Sequence, residues 1–209
     1  MGNIEVILFD LGGVLIELDG PPMRPEWLAK PLSYEESWRR WGLSPHVQAF
    51  ETGRIDAQTF IEQVVAEQGI TLSHEAFREA YTNWPKGLFE GADELLRRLG
   101  DDFTLGFYSN TSELHLPRLL DDLALASYFD FTFASYQIGY FKPDLNGYRH
   151  VSEAMGVAPD RILFIDDNPY NIEGALQAGF RARQAFQLEQ VIKVLEEEGC
   201  LVSASQAVE

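Results

Sequence analysis

Short runs of apolar residues alternate along the chain with segments of helical periodicity. Four of these runs, at Ile4–Asp10, Phe103–Ser109, Phe129–Ala134 and Arg161–Asp166, are mostly hydrophobic, and a polar turn follows each. Apolar runs of this length, bounded by turn residues, are typical of buried strands. Because a helical pattern comes after each run, the chain is predicted to form an α/β fold with a parallel sheet that helices cover on both faces.

The helices of this pattern have recognisable ends. They are predicted at Ala92–Leu99, Leu145–Met155, Pro169–Ala178 and Leu188–Glu198, and each stops directly before a glycine. Glycine is the residue that most often follows a helix C-terminus, because it adopts the left-handed conformation at little cost. Asp144 is in addition the expected N-terminal cap of the second helix.

The stretch between the first two strands has a different pattern. Between about Pro25 and Trp84 no strand is predicted, and helices are predicted at Pro45–Phe50, Ala57–Gln68 and Glu75–Trp84. We therefore expect an α/β core at residues 1–18 and 85–200, an all-helical cap at 19–84 and a C-terminal tail at 201–209. Inserted helical segments of this kind often cover the mouth of a site.

Composition narrows the range of partners. The 209 residues include 16 Lys and Arg against 33 Asp and Glu, which gives a formal net charge of −17. Neither nucleic acid nor a membrane is expected as a partner, because both attract clustered Lys and Arg. The single cysteine, Cys200, allows no intrachain disulfide, and neither a signal peptide nor a membrane-spanning segment is recognisable. A cytoplasmic location is expected, and the oligomeric state is left open.

Polar side chains that could bind a ligand or take part in catalysis follow the predicted strands at their carboxyl ends. They are Asp10, Ser109, Asn110, Lys142, Asp166 and Asp167. In an open parallel sheet the ligand binds outside the carboxyl ends of the strands, so these residues are expected to meet at one edge.

This combination of residues suggests phosphoryl chemistry. Carboxylates that converge repel one another unless a cation lies between them, and Mg²⁺ typically takes one or two carboxylates together with phosphate and water. Lys142 would neutralise a phosphoryl oxygen, Ser109 would donate a hydrogen bond to another, and Asp10 would accept the phosphoryl group as a nucleophile.

The same residues resemble four motifs of the haloacid dehalogenase superfamily, and of its phosphatase branch in particular. The resemblance covers the whole chain and rests on residues 9–15 (FDLGGVL), 108–110 (YSN), 142–144 (KPD) and 164–168 (FIDDN), the last followed by Asn171, Gly174 and Ala175. It implies a Rossmann-like core with a helical cap after the first motif.

The resemblance also implies roles for individual residues. Asp10 would be the nucleophile and a Mg²⁺ ligand, with Gly12 giving its backbone carbonyl to the ion. Asp167 would bind the ion directly, and Asp166 would act through water or a neighbour. Ser109 and Lys142 would hold the phosphoryl group. The phosphate or substrate site is further expected to include Gly13, Asn110 and, from the cap, Arg54.

One position departs from the phosphatase pattern. Phosphatases of the superfamily usually have an aspartate two residues after the nucleophile as general acid and base, and this chain has Gly12 there. Positioned proton transfer accelerates a reaction by about 10²–10⁴-fold, so slow turnover of substrates with poor leaving groups is expected. Glu17 and Asp19 are nearby carboxylates that could substitute, although nothing in the sequence directs them to the site.

The predicted activity is Mg²⁺-dependent hydrolysis of a small phosphorylated metabolite, for example a sugar phosphate. Two other hypotheses about the function stay open. A 2-haloacid dehalogenase would use Asp10 without a metal, and a weakly active or non-catalytic member would bind a phosphorylated ligand or a protein partner. The missing acid/base aspartate makes the second of these worth testing, whereas a phosphomutase would normally need that aspartate.

Overall fold

A five-stranded parallel sheet forms the centre of the structure, a computed structural model that describes residues 3–202. The strands are β1 (Val6–Phe9), β2 (Ile16–Leu18), β3 (Pro85–Leu88), β4 (Thr104–Ser109), β5 (Phe131–Ala134), β6 (Ile162–Asp166) and β7 (Arg181–Gln184). The central sheet has the order β5-β4-β1-β6-β7, and each neighbouring pair is parallel. The predicted α/β class with a parallel sheet is therefore confirmed.

The helices alternate with the strands of this sheet or lie between β2 and β3. They are α1 (Tyr34–Leu43), α2 (Pro45–Phe50), α3 (Ala57–Gln68), α4 (His74–Thr82), α5 (Ala92–Gly100), α6 (Ser135–Ile138), α7 (Leu145–Met155), α8 (Pro169–Gln177) and α9 (Gln187–Glu197). Single turns of other helix types occur at Pro25–Trp27, Arg118–Asp122, Leu125–Ser127 and Pro159–Arg161. No helix among residues 3–202 is both long and apolar enough to cross a membrane.

Strand β1 shows why the sheet is covered on both faces. Ile7 and Phe9 belong to a buried cluster that includes residues of α5 and α9, whereas Val6 and Leu8 belong to a second cluster with residues of α7 and α8. Successive side chains of a strand point to opposite faces, so an uninterrupted apolar strand needs a cover on each side. The result is a three-layer, Rossmann-like arrangement.

The sequence did not predict strands β2, β3 and β7 or helices α1 and α6. Strand β7 consists of Arg181, Ala182, Arg183 and Gln184, of which only Ala182 is buried, because the strand lies at the edge of the sheet. Helix α1 is polar along much of its length, and the aromatic residues that it buries in part or fully, Trp38 and Trp41, do not stand out as a regular stripe.

The helical segment between β2 and β3 has a core of its own. Helices α1 to α4 each begin at a residue whose side chain accepts a hydrogen bond from a backbone N–H of the first turn: Ser33, Ser44, Asp56 and Ser73. Their inner faces share an aromatic cluster in which the rings of Phe50 and Phe60 stack 4.2 Å apart. The division into core and cap stays a prediction, and residues 203–209 of the expected tail lie outside the described residues.

The chain enters and leaves this helical segment at one place. Strands β2 and β3 form a two-stranded antiparallel sheet in which Leu18 is opposite Pro85. The ends of the segment are therefore held beside each other, close to the carboxyl end of β1.

Candidate active site

The pairing of the strands places the predicted polar residues along one edge of the sheet. Asp10 directly follows β1, Ser109 is the last residue of β4, and Asp166 is the last residue of β6. Since β1 pairs with both β4 and β6, these residues lie at the carboxyl ends of three adjacent strands. Lys142 comes from the loop between α6 and α7 and reaches the same edge.

Lys142 forms two buried ion pairs at the base of the site. Its Nζ donates hydrogen bonds to Oδ1 of Asp10 at 2.9 Å and to Oδ2 of Asp166 at 2.6 Å, and the lysine is only 2% exposed. Burial alone would lower the pKa of Lys142, but the charges of Asp10 and Asp166 outweigh burial and hold the pKa above its ordinary value. The lysine therefore stays positively charged beside Asp10.

Asp166 is fully buried and surrounded by hydrogen-bond donors. Besides Lys142, the backbone N–H of Asn168 donates to Oδ1 at 2.8 Å, and Nδ2 of Asn171 donates to Oδ2 at 3.0 Å. Burial raises the pKa of Asp166, and the ammonium group of Lys142 opposes that rise. With its oxygens occupied in this way, Asp166 is suited to orienting Lys142, and its role at the metal site stays a prediction.

Asp167 and Gly13 lie against each other. Gly13 has a φ of +77°, and a Cβ at this position would lie 2.8 Å from Oδ2 of Asp167, so both the backbone conformation and the space require glycine. Burial raises the pKa of Asp167 to about 7, and the negative charges of Asp10 and Asp166 add to the effect. A carboxylate destabilised in this way would gain from a neighbouring cation.

The three carboxylates fit a hard divalent cation. Asp10, Asp166 and Asp167 each offer an oxygen atom, and these atoms lie within 4.8 Å of one another. Oxygen donors with mutual repulsion are the ligand set that Mg²⁺ prefers. Since several donors occupy the oxygens of Asp166, the carboxylates of Asp10 and Asp167 are the better direct ligands.

Asn110 supports Lys142 through its side chain. Nδ2 of Asn110 donates to the carbonyl of Lys142 at 3.1 Å, and the backbone N–H of Lys142 donates to Oδ1 of Asn110 at 2.8 Å. Both ends of the amide are thus used to fix the lysine loop. The phosphate contact expected of Asn110 would have to come from its main chain.

The first loop of the site is held by its own hydrogen bonds. The backbone N–H of Gly13 donates to the carbonyl of Ile16 at 2.9 Å, and the carbonyl of Gly13 accepts from the N–H of Gln187 at 2.7 Å. A contact between the Gly13 amide and phosphate therefore competes with this turn. At Gly12 a Cβ would come within 3.1 Å of Cδ1 of Leu18, so a side chain there would need the end of the leucine to shift slightly. Ser109 is 5% exposed at the end of β4, and its contact with phosphate stays a prediction.

Arg54 lines a pocket at the turn between α2 and α3. Its Nε donates to Oγ1 of Thr52 at 2.8 Å. The pocket has a volume of about 310 Å³ and is lined by Phe50, Gly53, Arg54, Ile55, Asp56, Glu113 and Tyr136. The aspartates of the site do not line this pocket in the described part of the chain. A direct phosphate contact of Arg54 therefore stays a prediction.

Two carboxylates suggested by the sequence as substitutes for the missing aspartate are engaged elsewhere. Glu17 accepts from Nζ of Lys86 at 2.6 Å, and Asp19 pairs with Arg24. About half of each carboxylate side chain is exposed to solvent. Neither residue is therefore held as a buried acid.

Glu51 is a buried carboxyl that the sequence did not single out. It lies in the polar turn after α2, is 5% exposed and accepts a hydrogen bond from the hydroxyl of Tyr81 at 3.2 Å. Burial raises the pKa of Glu51 to about 7, and the charge of Asp10 acts in the same direction. In the sequence this turn resembles a solvent-facing loop, because no neighbouring residue indicates that aromatic side chains of α4 cover it.

Comparison with known proteins places this arrangement in a family. The family model of haloacid dehalogenase-like hydrolases matches residues 4–179, a stretch that contains the residues of all four motifs. The chain belongs to the haloacid dehalogenase-like hydrolase family. The predicted resemblance and the assignment as a hydrolase are thereby confirmed.

Relatives in this family include enzymes of two kinds. The phosphatase MT3486 of Mycobacterium tuberculosis is 29% identical over 187 residues, which are 86% of this chain and 86% of the phosphatase. The (S)-2-haloacid dehalogenase of Xanthobacter autotrophicus is 24% identical over 209 residues, with coverage of 90% and 77%. Relatives of this family thus differ in the bond that they break.

A solved member of the family shares the fold. The structure is that of an enzyme of the same family from Bacteroides thetaiotaomicron in complex with magnesium and inorganic phosphate. It superimposes with a TM-score of 0.71 at 23% identity and covers 87% of this chain and 94% of the Bacteroides chain. The likeness extends over both the sheet and most of the rest of the chain.

Proposed function

We propose that the protein is a Mg²⁺-dependent phosphomonoester hydrolase that acts on a small phosphorylated metabolite. The observation that carries this proposal is the buried group formed by Asp10, Lys142 and Asp166, with Asp167 beside it. A nucleophilic carboxylate, a fixed positive charge and a cation site at one point are what phosphoryl transfer needs, because its catalysis is mostly positioning and charge neutralisation.

Each residue of the group has a proposed task. Asp10 attacks the phosphorus atom through its carboxylate and becomes an aspartyl phosphate that water later hydrolyses. Lys142 and Ser109 hold phosphoryl oxygens, and Asp166 keeps Lys142 in place. Mg²⁺, held by Asp10, Asp167 and the carbonyl of Gly12, would supply further positive charge for the phosphoryl oxygens when bound.

We infer that residues 19–84 act as a cap that helps to select the substrate. Oε1 of Glu113 accepts a hydrogen bond from the N–H of Ala57 at 2.9 Å, so the start of α3 contacts the loop after β4. A Cβ at Gly53 would lie 2.5 Å from the carbonyl oxygen of Tyr136, which shows how closely this turn approaches α6. The pocket that contains Arg54 lies at this contact and is suited to the non-phosphoryl part of the substrate.

Haloacid dehalogenase activity is the second candidate, because a dehalogenase is among the relatives and the pair of Asp10 and Lys142 would serve either reaction. The adjacent Asp166 and Asp167 favour phosphatase activity, since a reaction that uses no metal has no need for three converging carboxylates. Release of chloride from 2-chloropropionate by the purified protein, at a rate above that of Asp10→Asn, would favour the dehalogenase.

Hydrolysis of p-nitrophenyl phosphate tests the proposed function. We expect activity with Mg²⁺, a loss to background with EDTA, and a loss to background in Asp10→Asn. The nitrophenolate leaving group needs little protonation, so Gly12 does not mask the activity. A folded protein that binds inorganic phosphate but shows no turnover above the Asp10→Asn control would contradict hydrolysis and support a binding function.

A further inference from the structure

Glu51 is a buried acid without a cationic partner. Among residues 3–202 no Lys, Arg or His lies within ion-pair distance of its carboxylate, and the hydroxyl of Tyr81 is the donor that it has. Burying a charged carboxylate without a partner costs several kcal/mol, so this carboxyl gains from being protonated. Such a group is unexpected unless it has a task at the place where it lies.

Tyr81, the hydrogen-bond donor of Glu51, packs against the loop that follows β4. The ring of Tyr81 lies 4.2 Å from that of His115, whose Nε2 is 2.7 Å from the carbonyl oxygen of Tyr81. Ser112 is fully buried, and its side chain acts on the Tyr81 hydroxyl. Ser112 and His115 belong to the loop that begins at Ser109 and Asn110. Tyr81 therefore joins Glu51 to the loop whose first residues belong to the phosphoryl site.

The charged groups of the site act on Glu51. Burial has the largest effect and raises the pKa of Glu51 to about 7. The hydrogen bond from Tyr81 opposes this rise, the negative charge of Asp10 adds to it, and the positive charge of Lys142 opposes it. His115, on the far side of Tyr81, has its pKa lowered by burial to about 4 and is neutral under the same conditions. Glu51 is thus a carboxyl outside the cluster of aspartates that can hold a proton at neutral pH.

We propose that Glu51 exchanges a proton with the leaving-group oxygen of the phosphorylated substrate and thereby replaces the acid/base aspartate that position 12 lacks. This inference rests on the proposed phosphatase function. The helical segment supplies the group, since Glu17 and Asp19 are paired with Lys86 and Arg24 at the surface. With Glu51 as the proton donor, substrates with poor leaving groups need not be hydrolysed slowly, as the glycine at position 12 had suggested.

The proton balances over the two half-reactions. In the first, a carboxylate oxygen of Asp10 forms a bond to phosphorus, the bond from phosphorus to the leaving oxygen breaks, and the proton of Glu51 goes to that oxygen. In the second, the Glu51 carboxylate takes a proton from water as the water oxygen attacks phosphorus. The bond between Asp10 and phosphorus breaks, orthophosphate leaves, and Glu51 is protonated again.

The dependence of the rate on the leaving group tests this role. Phenyl phosphate and p-nitrophenyl phosphate have similar shapes, but phenol, with a pKa of about 10, is the poorer leaving group. Glu51→Gln should lose about 10²-fold in kcat/KM on phenyl phosphate and much less on p-nitrophenyl phosphate. Glu62→Gln, which removes an exposed carboxyl of α3, should keep the wild-type kcat/KM on both esters.

The pH profile separates proton transfer from a structural role. For wild type on phenyl phosphate, kcat/KM should fall as Glu51 loses its proton near pH 7, and Glu51→Gln should lack this limb. Tyr81→Phe removes the hydrogen bond that lowers the pKa of Glu51, so it should move the limb to higher pH. Equal losses by Glu51→Gln on both esters, or an unchanged limb in both variants, would overturn the proposal. Wild type without Mg²⁺-dependent turnover of either ester would instead overturn the phosphatase function itself.

Discussion

Lys142 illustrates what single residues contribute to this site. Its ammonium group carries two ion pairs in a buried position, and removing one partner of such a group typically costs about 3–5 kcal/mol because a charge is left unpaired. The sequence identified Lys142, Asp10 and Asp166 because each follows a recognisable strand or stands in a motif. Glu51 went unnoticed because its burial depends on side chains that are distant in sequence, above all Tyr81.

Glu51 should make the stability of the fold depend on pH. Its pKa is raised from 4.5 in the unfolded chain to about 7 in the folded protein, so the folded state holds one more proton between these values. The free energy of unfolding of wild type should therefore fall, relative to that of Glu51→Gln, as pH rises from about 4.5 to 7, and the loss should reach the order of 3 kcal/mol.

Urea unfolding of both proteins in EDTA, over pH 4.5 to 8, measures this difference. Using the difference removes contributions from Asp166, Asp167 and His115, which both proteins share. A constant difference over the whole range would mean that Glu51 titrates near its ordinary pKa and is not a buried acid.

At the scale of elements, the contact between α8 and the lysine loop positions the site. A Cβ on Gly174 of α8 would lie 2.9 Å from Cβ and 3.0 Å from the carbonyl oxygen of Pro143, the residue after Lys142. These atoms belong to a proline and a main chain and cannot move aside cheaply. The glycine therefore allows α8 to lie directly on the loop that holds Lys142.

Gly174→Ala should destabilise the protein by about 1–3 kcal/mol and lower its activity, because the added methyl group pushes the Lys142 loop away from Asp10. Gly42→Ala is the matched control, since Gly42 lies in α1 and a Cβ there meets no atom within 4 Å. The control should be neutral or stabilising by up to about 1 kcal/mol, as expected for alanine in a helix. Equal midpoints of urea unfolding for the two variants would contradict the packing argument.

The elements that the sequence predicts are those with a regular hydrophobic pattern. Strands β1, β4 and β6 are buried inside the sheet, and β5 is half-buried at its edge, but all four are apolar runs in the sequence. Helices α5, α7, α8 and α9 show clear ends. Strand β7 could not be found in this way, because two of its residues are arginines at the sheet edge, and α1 could not, because its apolar side is narrow. Their places are decided by tertiary contacts, which override local preference.

At the scale of the whole molecule, the net charge opposes the proposed substrate. A formal charge of −17 repels a phosphate ester as it approaches, while the local charge of Lys142 is buried and short in range. Salt screens exposed charges over about 8 Å at physiological ionic strength and affects buried pairs much less. The long-range repulsion should therefore weaken before the local attraction does.

The KM for p-nitrophenyl phosphate at saturating Mg²⁺ should thus fall by about twofold or more as NaCl is raised from near zero to about 0.15 M. Sodium acetate at the same ionic strength serves as a control for specific effects of chloride. A KM that rises in both salts would show that attraction by the site, and not repulsion by the surface, governs substrate capture.

The pairing of β2 with β3 has a consequence for how this chain can change in evolution. Because Leu18 and Pro85 are neighbours across the two strands, the residues between them form an inserted segment that leaves the central sheet and returns to it at the same place. The register that aligns β1 with β4 is set by contacts inside the central sheet, for example Leu8 with Gly106. Lengthening a closed loop adds only a slowly growing entropy cost. This inserted segment can therefore grow, shrink or be exchanged while Asp10 and Ser109 keep their positions relative to each other.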